Sequence, residues 1–123
     1  MAAAVSWQRA EGAALFIAAI ALYLHAGAGI PWWGAVLLFF APDLGFAAYL
    51  AGPRVGAAGY NLAHLYAGGA ALLALGLIAA LPLGTALGAL WLAHCGFDRM
   101  LGYGLKTPEG FGQTHLGPIG KAR

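Results

Sequence analysis

Four apolar runs, each close to the roughly 20 residues that cross a bilayer as a helix, follow one another with almost no spare length between them. They cover about Ala13–Ala28, Trp32–Ala51, Val55–Ala80 and Leu83–Leu101. The interruptions are Gly27-Ala-Gly-Ile-Pro31, Gly52-Pro-Arg54 and Leu81-Pro-Leu-Gly84, the punctuation of tight turns. Such short connections make consecutive helices antiparallel neighbours, so the runs predict an all-α, integral membrane four-helix bundle.

Strands are a poor alternative. A membrane barrel needs segments of about ten residues with alternating polarity, and these runs are apolar on every face. Of the 123 residues 62% are apolar and only 8% charged, against about 25% charged in soluble domains. The polar residues are too few to cover a water-facing surface. One domain is expected, with residues 1–101 as the transmembrane part and 102–123 as a polar C-terminal tail, ordered where it touches the helices.

All six Lys and Arg residues fall on one side of this layout. Arg9 precedes the first span, Arg54 lies in the second connection, and Arg99, Lys106, Lys121 and Arg123 end or follow the fourth. By the positive-inside rule both termini are cytoplasmic. Arg9, an apolar run and Ala26-Gly-Ala28 mimic a cleaved signal, but cleavage would leave an odd three-helix remnant, and Trp32 and Trp33 suit an outer-face anchor. The single cysteine, Cys95, excludes an internal disulfide and reads as a small packing residue.

Four ionisable residues sit inside the apolar runs: Asp43, His64, His94 and Asp98. Intramembrane ionisable residues are costly and mark functional sites by default. Asp43 precedes Gly52 by nine residues, His64 follows Arg54 by ten, and His94 precedes Leu101 by seven. At 1.5 Å per residue all three lie about 10–15 Å from the cytoplasmic boundary. Asp98 stacks on the face of His94 one turn away, and Tyr60 and Asn61 give the third span a polar face beside His64. Three polar faces at one depth are expected to turn toward one another inside the bundle.

Two imidazoles and two carboxylates at one level offer the nitrogen and oxygen donors that a divalent metal takes, zinc first, then iron or manganese. The same residues also suit a proton relay or proton-coupled transport, or a structural polar network that pins the helices. Internal repeats, which transporters often show, are not evident. Lys106 and Arg99 are candidates for clamping an anionic headgroup. His115 is a candidate fifth ligand or general acid if the tail folds back. The expected partners are the bilayer and an amphipathic or anionic lipid substrate, with no nucleic acid; homo-oligomers are compatible with so short a chain.

Several motifs are more particular. Arg9-Ala-Glu-Gly12, Ala41-Pro-Asp-Leu44, Leu50-Ala-Gly-Pro-Arg-Val-Gly56, Tyr60-Asn-Leu-Ala-His64 and the stretch from Ala93 through Lys106 to Gly117 closely resemble the bacterial membrane family of unknown function numbered 4260. The resemblance implies a small multi-pass protein of the bacterial inner membrane. Cys95 stands where that pattern suggests a larger apolar residue. Pro42-Asp43, His64 and His94-x3-Asp98 are also loosely similar to YdjM-like membrane-bound metal-dependent hydrolases, although the second His and the Arg that follow the first His there are missing here. That similarity implies metal-dependent hydrolysis; a metal held by three or four such ligands lowers the pKa of bound water to about 7 and lets it attack a phosphoester or acyl ester.

Overall fold

A computed structural model describes residues 2–119; Lys121 and Arg123, counted above among the cytoplasmic charges, lie outside the described residues. The fold is all-α apart from a small sheet near the C-terminus. Helix α1 spans Ala2–Ala26, starting well before the apolar run and carrying Trp7, Arg9 and Glu11 within it. Helix α2 (Trp32–Phe39) continues directly into a 3-10 helix over Ala41–Ala51. Helices α3 (Pro53–His64) and α4 (Tyr66–Ile78) together form the third rod, and α5 (Pro82–Leu101) is the fourth.

Three stretches among the described residues are long and apolar enough to cross a membrane: Ala2–Ala26, Trp32–Ala51 and Pro53–Ile78. Few of their residues are buried within the protein, as lipid-facing helices require. Helix α5 differs: eleven of its twenty residues are buried, and both α1 and α4 pack along it. It is the central rod. Ala19 of α1, Leu73 of α4 and Ala89, Leu92 and Ala93 of α5 form the core cluster, ringed by Leu15, Phe16, Ile20 and Tyr23.

Without a hydrophobic force between helices in lipid, close van der Waals approach must hold them together. At the α1–α5 crossing Gly12 and Gly96 provide it. A Cβ on Gly12 would fall 2.6 Å from Arg99 Cβ, and one on Gly96 would fall 2.8 Å from the Gly12 carbonyl oxygen. Either side chain would force the two backbones apart.

Two rods are irregular, and both irregularities sit at the same depth. After Phe40 the second rod tightens from α to 3-10, with the Asp43 N–H donating to the Phe40 carbonyl (3.0 Å); Pro42 has no N–H to continue the α ladder. A 3-10 run of eleven residues is long for this structure. In the third rod, Leu65 is extended at φ −70° and ψ 145° and separates α3 from α4. The chain reverses after α5 at Gly102, whose φ of 90° suits glycine. Gly102 N–H donates to the Arg99 carbonyl and Tyr103 N–H to the Asp98 carbonyl (3.0 and 2.8 Å), the Schellman pattern.

The tail then folds back. Strands β1 (Lys106–Thr107), β2 (Gly110–Thr114) and β3 (Gly117–Pro118) form a three-stranded antiparallel sheet in the order β1-β2-β3. A hydrophobic alternation does not announce this sheet, since glycines take up much of it. Its anchor is Asn61 of α3, whose Nδ2 donates to the Lys106 carbonyl (2.8 Å) while its Oδ1 accepts the Lys106 N–H (2.7 Å). One side chain thereby replaces a strand edge and fixes the sheet against the bundle.

Candidate metal centre

The two irregular rods and α5 deliver four side chains to one point. Asp43 comes from the start of the 3-10 helix, His64 from the last residue of α3, and His94 and Asp98 from successive turns of α5. One ligand atom from each lies within 4.8 Å of all the others, so the group could hold a metal ion. His64 Nε2 is 3.2 Å from Asp43 Oδ1 and 3.5 Å from Asp98 Oδ2. His94 Nε2 is 3.1 Å from Asp43 Oδ1 and 3.4 Å from Asp98 Oδ2. The two Nε2 atoms are 3.1 Å apart.

The remaining hydrogen bonds decide which lone pairs face inward. His64 Nδ1 is 2.8 Å from the Tyr60 carbonyl. A carbonyl only accepts, so Nδ1 carries the proton and Nε2 of the neutral ring presents a lone pair to the cluster. This is the backbone support that metal-binding histidines generally have. Tyr60 also stacks flat on the His64 ring, with centroids 3.8 Å apart, and its hydroxyl donates to Asp98 Oδ2 (3.5 Å). His94 is held differently: Nδ1 is buried without a hydrogen-bond partner among the described residues, and Phe39 and Phe40 meet the ring edge-on. The C-terminal end of α3, at His64, adds the negative end of a helix dipole.

Breaking the third rod at Leu65 frees the Ala63 and His64 carbonyls, which an unbroken helix would pair with Ala67 and Gly68. Helix α5 takes them over. Trp91 Nε1 donates to the Ala63 carbonyl (2.6 Å) and Arg99 Nη2 to the His64 carbonyl (2.8 Å). Cys95 Sγ lies 3.7 Å from the Ala63 and Leu65 carbonyls. Trp91, Cys95 and Arg99 recur every four residues and form one stripe of α5, beside the stripe of His94 and Asp98. Cys95 therefore supports a backbone break as well as filling space.

Arg99 is committed by these contacts. It is buried, lies over the Tyr66 ring (5.2 Å) and also donates to the Tyr103 carbonyl (3.5 Å), so it does not project toward a headgroup. Lys106 is placed differently. A cavity of about 230 Å³ between cluster and sheet is lined by Asp43, Phe46, Tyr60, Asp98, Lys106 and Phe111, among others. Both carboxylates face this cavity. The buried Lys106 ammonium lies over Phe111 and Tyr60, at 4.0 and 5.0 Å from the ring centroids. Burial pushes it below the usual lysine range, opposed by the charge of Asp98. His115 is not among the residues lining the cavity. Its Nδ1 accepts the Leu105 N–H (2.8 Å) and so organises the turn into the sheet.

With this geometry described, comparison with known sequences adds one finding. A family model matches residues 5–119, nearly the whole chain. The chain belongs to the DUF4260 family, a domain of unknown function. No curated protein and no solved structure matches it. The match takes in all four cluster residues together with Trp91, Arg99, Asn61 and Lys106, so within this family member the cluster, its support and its cover fall inside the shared domain.

The break-supporting stripe is what the sequence alone did not disclose. A signal for it exists in the four-residue spacing of Trp91, Cys95 and Arg99, but that spacing acquires meaning only once the third rod is known to be broken.

Proposed function

We propose that this protein is a metal-dependent hydrolase of the bacterial inner membrane, acting on an ester bond of an anionic, lipid-like substrate, with both termini cytoplasmic. The observation that carries the reading is the convergence of acceptors. Five of the separations among the four ligand atoms are 3.1–3.5 Å. A tetrahedral site with metal–ligand bonds of about 2.0–2.2 Å has edges of about 3.3–3.6 Å. Two carboxylates and the inward lone pair of His64 are acceptors with at most one shared proton, on His94 Nε2, among them, and two N with two O donors suit zinc, iron or manganese.

A bound divalent metal would supply Lewis acidity and water activated near neutral pH. The protein supplies the rest. Asp43, the more exposed of the two carboxylates, lines the cavity, and its carboxylate takes a proton from the attacking water. The water oxygen bonds to the ester centre, the bond to the leaving alcohol breaks, and that alcohol leaves with the proton held by Asp43. Lys106 pairs with the anionic oxygen of the substrate, and Phe111 and Ile119 of the tail keep bulk water from the cavity.

The test is elemental analysis of purified protein, wild type beside Asp43→Ala and His94→Ala, with folding followed by helical circular dichroism. Near-stoichiometric metal in the wild type, absent from both folded variants, is the expected result. A wild type that holds none after reconstitution with zinc, iron and manganese overturns the reading.

A further inference from the structure

The 3-10 helix has three residues per turn, so residues three apart eclipse one another and its surface divides into three rows. Asp43, Phe46 and Tyr49 form the first row: Asp43 and Phe46 line the cavity, and Phe46 and Tyr49 pack on Phe111 of the sheet. Gly45 and Ala48 belong to the second row and lie against Ala63 and Gly59 of α3. Leu44, Ala47 and Leu50 form the third and are exposed. Asp43 thus stands beside the covered cavity while its neighbours in sequence face elsewhere.

On that other side lies an apolar groove of about 470 Å³, lined by Leu38, Pro42, Ala63, Leu72, Leu87 and Trp91, among others. It reaches Pro42 and Ala63, the residues immediately preceding Asp43 and His64. Leu38 precedes Asp43 along the second rod, Leu72 follows His64 along the third, and Leu87 precedes His94 along the fourth. All three therefore lie on the far side of the cluster from the Gly52 turn, in the direction of the bilayer centre. Lys106 lies on the near side, under the sheet.

We infer that the substrate is an acylated anionic phospholipid drawn sideways from the bilayer, with one acyl chain in the groove between the second rod and α4 and its phosphate beside Lys106. This deepens the hydrolase reading and rests on it. The occupant follows from what the two spaces offer on either side of Asp43: apolar walls within membrane-spanning segments, and a buried ammonium next to the carboxylates. A molecule reaching both has hydrocarbon and anion joined by a bond that passes the cluster. A water-soluble anion would leave the groove unused, and a neutral hydrocarbon would make no use of the Lys106 ammonium, which lies over Phe111 and Tyr60 in the cavity that Asp43 and Asp98 also line.

The experiment uses full-length protein in lipid nanodiscs with a trace of phosphatidic acid carrying a diazirine in its acyl chain. Crosslinks are mapped by peptide mass spectrometry and metal is measured on the same samples. Labelling is expected to concentrate several-fold on peptides containing Leu38, Leu72 and Leu87 over the one containing the lipid-exposed Ile17. Excess unlabelled phosphatidic acid should suppress it, while phosphatidylcholine with the same chains and inorganic phosphate should not. Leu87→Trp should remove the groove labelling with metal content unchanged, Lys106→Met should remove the preference between headgroups, and Ile17→Trp should change neither. Uniform labelling of groove and α1, or suppression by inorganic phosphate alone, overturns the inference. Selective labelling of protein that takes up no metal would overturn the hydrolase reading and leave lipid binding standing.

Discussion

The Nε2 atoms of His64 and His94 lie 3.1 Å apart, each also within 3.5 Å of Oδ1 of Asp43 and Oδ2 of Asp98. His64 spends its ring proton on the Tyr60 carbonyl, so its half of this contact is a lone pair. Neutral rings could share at most one proton here, and the two carboxylates bring none while ionised. Chelation is accordingly expected to lower the thermal midpoint of unfolding. Adding zinc back at about 100 times its Kd should recover about 2.7 kcal/mol, read by circular dichroism in detergent; Asp98→Asn should weaken this recovery.

Arg99 should prove structural. Replacing it with Met leaves the His64 carbonyl without its donor, at a cost of about 1–3 kcal/mol. The loss should appear in thermal unfolding of the metal-free protein, where a residue acting only on substrate would have no effect.

Asn61→Leu removes both hydrogen bonds that tie Lys106 to α3. At about 0.5–1.5 kcal/mol each, their loss should raise hydrogen exchange across residues 105–116 and hasten proteolysis of the tail. The exchange of α5 should be unchanged.

The tail should also respond to acid. The packing around His115 and the charge of Arg99 hold its imidazole below the ordinary 6.5, and its Nδ1 accepts the Leu105 N–H. The folded tail thus binds a proton less readily than the unfolded one. The stabilisation is complete above the ordinary value and is lost as pH falls through the lower, folded-state value. The protection factor of the Leu105 amide, its rate relative to the unstructured chain at the same pH, should fall over that acidic window in the wild type and be independent of it in His115→Gln.

Topology can be read directly. In a Cys95→Ser background, a cysteine at Gly29 should react with a membrane-impermeant maleimide from outside intact cells. One at Gly110 should react only after the membrane is opened. The reverse pattern would overturn the cytoplasmic placement of the tail.

The rods were legible because lipid leaves few choices: an apolar run must satisfy its own backbone, and Gly and Pro mark where it ends. Depth arithmetic was enough to bring Asp43, His64, His94 and Asp98 to one level, since rise per residue is nearly constant. The departures from regular helix were not legible. Composition does not distinguish α from 3-10 over Ala41–Ala51, although Pro42 marks where the change begins. The nearby breaker signal, Gly68-Gly69, falls inside α4 rather than at Leu65, because the break is stabilised from another helix. The sheet was hidden for a similar reason. Its anchor is Asn61, some 45 residues earlier, and its strands are too short and glycine-rich to show alternation.

The borrowed partners of the third rod bear on how the chain enters a membrane. In hydrocarbon each unpaired carbonyl costs several kcal/mol, and Ala63 and His64 acquire their donors only from Trp91 and Arg99. A nascent chain whose synthesis has reached only Ile78 has no such donors. It must therefore either keep this segment as one unbroken helix or hold it at the water interface until α5 arrives. The kink that carries His64 to its partners is then the last feature of the third rod to form, and the Asp43, His64, His94 and Asp98 cluster is complete only when α5 is in place.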